Sequence, residues 1–254
     1  MSFLDQVLAT TRRQLAQRDD ADAPSAVVVR DPTRFPEALR GRRRLSVIAE
    51  IKRRSPSRGR LAACPSPAEQ ARRYAAGGAA AISVLTRAEG FGGSLDDLRE
   101  VRATVDLPLL MKDFILDEVQ LRDAADSGAD AVLLMVRCLP GKRLAELLAA
   151  CEALGLAALV EAHDAAELRR ALDVGADIVG VNNRDLATLE VDRSNALDLL
   201  PALPTGVIGI AESGYGSAAD LVGLPGRCDA VLVGSALMTA DDPAALLEEM
   251  TSCE

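Results

Sequence analysis

Gly128-Ala129-Asp130-Ala131-Val132 and Gly175-Ala176-Asp177-Ile178-Val179 are one phrase written twice. In each, a glycine in the left-handed position closes a helical run, a short turn follows, and small or β-branched apolar residues launch a strand. A worn third version stands at Gly77-Gly78-Ala79-Ala80-Ala81. The phrase marks an internal repeat of a strand–helix unit. Outward from it, apolar runs at 45–52, 80–86, 108–112, 131–136, 157–161, 178–182, 206–212 and 230–234 read as strands. Helical periodicity lies between them near 67–77, 94–104, 117–127, 141–154, 164–174, 194–200, 217–223 and 243–251. Strands this uniformly apolar belong to a parallel sheet covered by helices. Eight such units in about 210 residues fit a closed (β/α)8 TIM barrel better than an open doubly wound sheet. No G-x-G-x-x-G follows the first strand, which disfavours a dinucleotide fold. The expected class is α/β, a single barrel over 45–254 with an N-terminal helical extension over 1–44. In that extension, residues 2 to about 18 form an amphipathic helix with Phe3, Leu4, Val7, Leu8 and Leu15 on one side. Its apolar stripe is expected to cover the barrel mouth.

Composition narrows the class of partner. A net charge of −9 argues against a nucleic-acid surface, which needs clustered positive charge. The basic residues Arg40–Arg44 and Lys52–Arg54 are local, a solvated face or an attractor for a small anion. Aromatic residues are only 2%, which suits small helices packed on strands better than a β-sandwich. Five scattered cysteines (Cys64, Cys138, Cys151, Cys228, Cys253) without C-x-x-C spacing suggest reduced thiols and a cytoplasmic protein. No run is long enough to span a bilayer, and no membrane partner is expected. A single histidine, His163, disfavours a His-rich metal site and weakens any Ser–His or Cys–His nucleophile.

In a barrel of this kind chemistry sits at the C-terminal strand ends. Those ends read Glu50-Ile51-Lys52, Leu85-Thr86-Arg87, Met111-Lys112-Asp113-Phe114, Val160-Glu161, Asn182-Asn183-Arg184, Glu212-Ser213-Gly214 and Val233-Gly234-Ser235. Alternation puts Glu50 and Lys52 on one side. Alone, that pair is equally a structural ion pair. Two lysines, three glutamates and an asparagine aimed at one mouth exceed what core satisfaction requires. The matched Ser213-Gly214 and Gly234-Ser235, with a short helical turn at Ala236-Leu237-Met238, place free N–H groups where barrels bind phosphate.

The motifs Glu50-Ile51-Lys52-Arg53-Arg54-Ser55-Pro56-Ser57, Ser83-Val84-Leu85-Thr86, Lys112-Asp113-Phe114-Ile115, Leu159-Val160-Glu161-Ala162-His163, Asn182-Asn183-Arg184-Asp185-Leu186 and Glu212-Ser213-Gly214 occur in order along the whole chain. Together they closely resemble the indole-3-glycerol-phosphate synthase family. The resemblance implies a lyase of tryptophan biosynthesis that closes the ring of 1-(2-carboxyphenylamino)-1-deoxyribulose 5-phosphate, releasing carbon dioxide and water. By position, Lys112 resembles the acid that protonates the ketone oxygen. Lys52 and Glu161 resemble the acid and base of closure and dehydration, with Glu50 holding Lys52. Asn182, Glu212 and Ser213 would orient the ribulose hydroxyls. Ser55, Arg184, Gly214, Gly234 and Ser235 would surround the phosphate, and Pro56, Phe91, Phe114, Leu133 and Leu189 would form the aryl slot.

The chemistry requires positioned acids and bases but no metal or other cofactor. A lysine desolvated beside another cation can have its pKa lowered toward the working pH. The expected partner is a small phosphosugar, and the expected state a monomer or weak homodimer. Arg87 stands where the family commonly has an acid, Gly90 where it has a bulky residue, and Ala162 where a β-branched one is usual. Alternative readings are a paralogue acting on a modified anthranilate and a non-catalytic phosphosugar-binding barrel.

Overall fold

The computed structural model describes residues 3–18, 28–40, 45–55, 59–61, 66–186 and 188–252. Eight parallel strands close into a barrel in sequence order. They are β1 (Ser46–Ile51), β2 (Ala81–Leu85), β3 (Leu109–Lys112), β4 (Ala131–Met135), β5 (Ala157–Ala162), β6 (Ile178–Asn182), β7 (Ile208–Glu212) and β8 (Ala230–Val233). All but the end of β3 are buried throughout, as strands covered on both faces must be. The repeated phrase behaves as its glycines require: Gly78, Gly128 and Gly175 have φ of 82°, 90° and 83°.

The register decides which side chains share the interior. Paired residues on parallel strands point to the same face. Glu50 pairs with Ser83, Leu85 with Lys112, Met135 with Glu161, Glu161 with Gly180, and Asn182 with Glu212. Glu50, Lys112, Glu161, Asn182 and Glu212 therefore all face inward at the C-terminal end. Below them the interior is filled by apolar side chains such as Ile48, Leu110, Leu159 and Ile210.

Ten helices accompany the strands among the described residues: α1 (Phe3–Ala16), α2 (Arg34–Leu39), α3 (Pro67–Ala76), α4 (Leu95–Thr104), α5 (Glu118–Asp126), α6 (Arg143–Ala153), α7 (Ala165–Asp173), α8 (Ser194–Leu199), α9 (Ser235–Thr239) and α10 (Pro243–Ser252). Side-chain caps fix several starts. Ser66 caps α3, Asp117 and Gln120 form a capping box on α5, and Asp164 accepts from two N–H groups of α7. Helix α3 also braces the first strand, because Tyr74 Oη donates to the Glu50 carbonyl at 3.1 Å.

Three local readings change. The helix expected over 217–223 is a short 3-10 turn, Ala218–Leu221. Arg54–Ser55, outside the strands expected from the sequence, pairs with Gly59–Arg60 as a small antiparallel hairpin at the mouth. The N-terminal segment does more than cover that mouth. Helix α1 lies there, but α2 and the chain before it sit at the opposite end. Arg30 N donates to Leu154 O at 2.8 Å, Arg40 to Gly206 O at 2.9 Å, and Arg34 pairs with Asp106, all just ahead of strands. Phe35 and Leu39 are fully buried at that floor. Burying each contributes about 1.5–3 kcal/mol.

Candidate active site

A cavity of about 640 Å³ opens at the C-terminal ends of the strands. Glu50, Lys52, Ser55, Phe91, Lys112, Phe114, Leu133, Glu161, Asn182, Arg184, Leu189, Glu212, Ser213, Gly214, Gly234 and Ser235 all line it. Pro56, expected in the aryl slot, lies outside the described residues. The set comes from all eight strands of the barrel or from the loops that follow them, so closure of the sheet gathers it.

Lys112 is the centre of charge. Its Nζ lies 3.2 Å from Glu161 Oε2 and 3.2 Å from Glu212 Oε2. Burial alone would push this lysine down, but Glu212, Glu161 and then Glu50 outweigh it and hold it above the ordinary lysine value. This reverses the sequence expectation of a lysine lowered by a neighbouring cation. The neighbours that matter are two anions brought across the barrel from β5 and β7. Burial also pushes Glu161 up, yet Lys112 and His163, helped by the Asn182 amide, keep its carboxyl down at about 2. Glu212 goes the other way: burial and the Glu161 charge outweigh Lys112 and push it up to about 8. The two carboxyls are thus pushed apart, Glu161 toward the ionised form and Glu212 toward the protonated one, as closely spaced acids are. Glu161 Oε1 and Glu212 Oε1 have no well-formed hydrogen bond among the described residues.

A second ion pair stands beside this group. Lys52 Nζ donates to Glu50 Oε1 at 2.5 Å, and both side chains are mostly buried. Two glycines missing from the sequence argument as space-makers, Gly180 and Gly234 in this role, admit these charges. A Cβ on Gly180 would lie 2.2 Å from Glu212 Oε1, and one on Gly234 would lie 2.4 Å from Glu50 Oε1. Glycine is needed there for the approach of a carboxylate.

The seventh and eighth loops adopt unusual backbone. Ser213 and Gly214 take φ of 64° and 92° in succession. The Ser213 strain is held by Asn183, whose Nδ2 donates to Ser213 O at 2.9 Å and to Tyr215 Oη at 3.1 Å. Further along, the N–H groups of Gly216 and Ser217 already donate to Asp220 Oδ2 at 2.9 and 3.0 Å. The donors left for an anion are therefore nearer Gly214 and the start of α9, which has no side-chain cap. Arg184 lies on the rim and donates to Leu189 O at 2.7 Å.

The other wall is apolar. Leu85, Met135 and Leu186 join the expected Phe91, Phe114, Leu133 and Leu189. Inward alternation from Ser83 and Leu133 would have found Leu85 and Met135. Phe3 of α1 reaches the same cavity and meets Phe91 edge-on, with ring centroids 6.1 Å apart. Gly90, at a φ of 83°, lies against that ring: a Cβ there would stand in ordinary contact with Phe3 at 3.6 Å. Arg87 does not stand free at the entrance. It is only 4% exposed, donates to Thr11 Oγ1 at 2.8 Å, and lies 5.8 Å from the Phe114 ring centre. Among the described residues, no three His, Cys, Asp or Glu side chains gather as a metal-ligand set.

Comparison with known proteins gives a consistent picture. The family described as indole-3-glycerol phosphate synthase matches residues 4–250. A protein of that name from Parafrankia sp. is 47% identical, covering 99% of this chain and 96% of its own. One from Nocardioides sp. is 47% identical over the full length of both, and one from Kineococcus radiotolerans is 45% identical over 99% and 96%. Among solved structures, thiamine phosphate pyrophosphorylase from Pyrococcus furiosus superposes with a TM-score of 0.61 at 20% identity, covering 81% of this chain and 93% of its own. That likeness concerns the fold alone.

Proposed function

The chain belongs to the indole-3-glycerol phosphate synthase family, and from that premise we propose how its residues divide the reaction. The activity is ring closure, decarboxylation and dehydration of 1-(2-carboxyphenylamino)-1-deoxyribulose 5-phosphate in tryptophan biosynthesis. The observation that carries the division of labour is the buried Lys112–Glu161–Glu212 group, in which two carboxylate oxygens have no formed hydrogen bond among the described residues.

Attack of the aryl carbon on the ketone puts negative charge on the ketone oxygen. Lys112, kept protonated by its carboxylates, is the acid that meets it. The substrate carboxylate lies at the apolar wall of Phe91, Phe114, Leu133 and Leu189, where loss of carbon dioxide removes a poorly solvated charge. Dehydration then needs an acid at the departing hydroxyl and a base at the neighbouring C–H. Lys52, steadied by Glu50, serves as the acid, and Glu161, ionised at working pH, as the base. Asn182, Glu212 and Ser213 orient the ribulose hydroxyls. Ser55, Arg184, Gly214, Gly234 and Ser235 receive the phosphate.

Among the described residues no helix is long and apolar enough to cross a membrane. The described cysteines Cys138, Cys151 and Cys228 are free thiols, which supports a cytoplasmic setting.

The test follows indole fluorescence after the carboxyphenylamino-deoxyribulose phosphate is added. Glu161→Gln is expected to lower kcat by about 10²–10⁴, the usual contribution of a positioned proton carrier, with product affinity kept. Wild-type turnover in this variant would remove Glu161 from the chemistry.

A further inference from the structure

His163, the sole histidine of the chain, has no part in the scheme above, yet its imidazole is 4% exposed and wedged between two carboxylates. It follows β5 by one residue, directly above Glu161. Glu167, in the first turn of α7, takes one side of the ring. Its Oε2 accepts the His163 backbone N–H at 2.9 Å and lies 3.2 Å from Nδ1. Its other oxygen accepts from Arg137 Nε at 2.9 Å. Burial pushes Glu167 up, but the His163 bond and Arg137 outweigh it and hold the carboxyl below its ordinary range. An ionised carboxylate can only accept, so Nδ1 carries the ring proton on that side. Nε2 is left facing Glu161 Oε1 across 3.3 Å.

That approach is oblique, and neither atom has a formed hydrogen bond among the described residues. Beyond Glu161 stand Lys112 and, through it, Glu212, while Cys138 lies near enough to Glu161, Glu167 and Arg137 to feel their charges. Asn195, from α8, donates to the His163 carbonyl at 3.1 Å and fixes its backbone.

We infer that His163 is a positioning residue for Glu161: clamped by Glu167, its ring holds one oxygen of the carboxylate so that the other stays on Lys112. The inference rests on the reading of Glu161 as a proton carrier. The contact serves in either proton state. With Nδ1–H kept on Glu167, an ionised Oε1 accepts from Nε2–H of a doubly protonated ring, and when that proton passes to Oε1 the carboxyl donates back to a bare Nε2. In both cases Oε2 keeps its place against Lys112, and the carboxyl can gain and lose a proton without turning. Buried supports of this kind set how closely a reacting group keeps its productive geometry.

His163→Asn and His163→Gln separate the two halves of the clamp. The asparagine amide can replace Nδ1–H toward Glu167 but is too short for Oε1. The glutamine amide reaches where Nε2 stands. His163→Asn is expected to lower kcat roughly tenfold, a fraction of the about 10²–10⁴ available to a proton carrier, with KM and Tm close to wild type. Its acid limb in the kcat–pH profile should move to higher pH, because Glu161 has lost a neighbour that favours its ionised form. His163→Gln should recover most of kcat. In the Glu161→Gln background, His163→Asn should cause no further loss, the sign that the two act as one unit.

Wild-type kcat and an unmoved acid limb in His163→Asn would overturn the inference. So would a kcat loss that follows Tm and is not recovered in His163→Gln, or a full additional loss in the double variant. If Glu161→Gln alone turns over like wild type, the underlying assignment of Glu161 fails first. If Glu161→Gln is inactive while His163→Asn is not, only the role of His163 fails.

Discussion

The two ends of this barrel bury charge in opposite ways. At the floor, Asp130 is 1% exposed and every direction is answered. Arg30 lies 3.3 Å and Arg34 3.8 Å from Oδ1, while Oδ2 accepts from Arg102 at 2.9 Å and from Leu109 N at 2.8 Å. At the mouth, Glu161 and Glu212 share one lysine; Glu161 Oε1 faces the His163 ring obliquely at 3.3 Å, and among the described residues Glu212 Oε1 has no formed hydrogen bond. The floor joins the N-terminal segment to the turns before β3 and β4, and it is closed. The mouth is incompletely satisfied and opens on the cavity. A buried polar group left short of partners costs stability unless something else completes it. A network that is complete without a ligand holds the fold, and one that is incomplete is poised to meet one.

The largest effect should come from Lys112→Met. It is expected to lower kcat by about 10²–10⁴, or 3–5.5 kcal/mol of barrier, with KM changed far less. The assay belongs well below the melting point, because the change leaves two buried carboxylates without their cation. If the variant keeps most of its kcat, the mouth is only another structural network, and the contrast with the floor collapses.

Asp130→Asn tests the other end. Arg30 loses its counter-charge, and Arg34 and Arg102 keep only the exposed Asp106. Unfolding free energy should fall by about 3 kcal/mol, the low end for a broken buried pair because the guanidiniums are partly exposed. The kcat of the folded variant should stay at the wild-type value. Denaturant unfolding and turnover on one preparation check both. Lost turnover with intact stability would mean that the floor communicates with the mouth.

Glu212→Gln should give the smallest shift, and it depends on pH. In the fold this carboxyl is raised to about 8 from an ordinary value of 4.5. Folding therefore favours its protonated form. That stabilisation is full below the ordinary value and is lost as pH rises toward the folded one. Glutamine imitates the protonated acid at every pH. The Tm difference between variant and wild type should be near zero at about pH 5 and positive, by a few degrees, at about pH 9. A negative difference at high pH would mean that Glu212 is ionised in the fold and pairs with Lys112 as a simple salt bridge.

Much of this was legible in the chain. The strands expected at 45–52 and 178–182 appear as Ser46–Ile51 and Ile178–Asn182, because apolar alternation and glycine-ended helices are local properties. The loss of the helix expected over 217–223 was not legible. Its first turn is drawn into the capping of Gly216 and Ser217 by Asp220, and Val222 then turns extended. The Arg54–Ser55 hairpin was equally hidden, since a two-residue strand has too little pattern to announce itself.

By itself the sequence determined the repeat, the parity of each strand and the residue type standing at each strand end. These follow from backbone geometry over a few neighbouring residues. Only the tertiary structure decided that Lys112 of β3 meets Glu161 of β5 and Glu212 of β7, and that Gly180 and Gly234 clear the space for carboxylates. It alone turned Arg87 inward to Thr11 and set His163 between Glu161 and Glu167. The physical reason is closure. The distance between side chains far apart in the chain is set by register and barrel curvature, and burial then turns that distance into a protonation state.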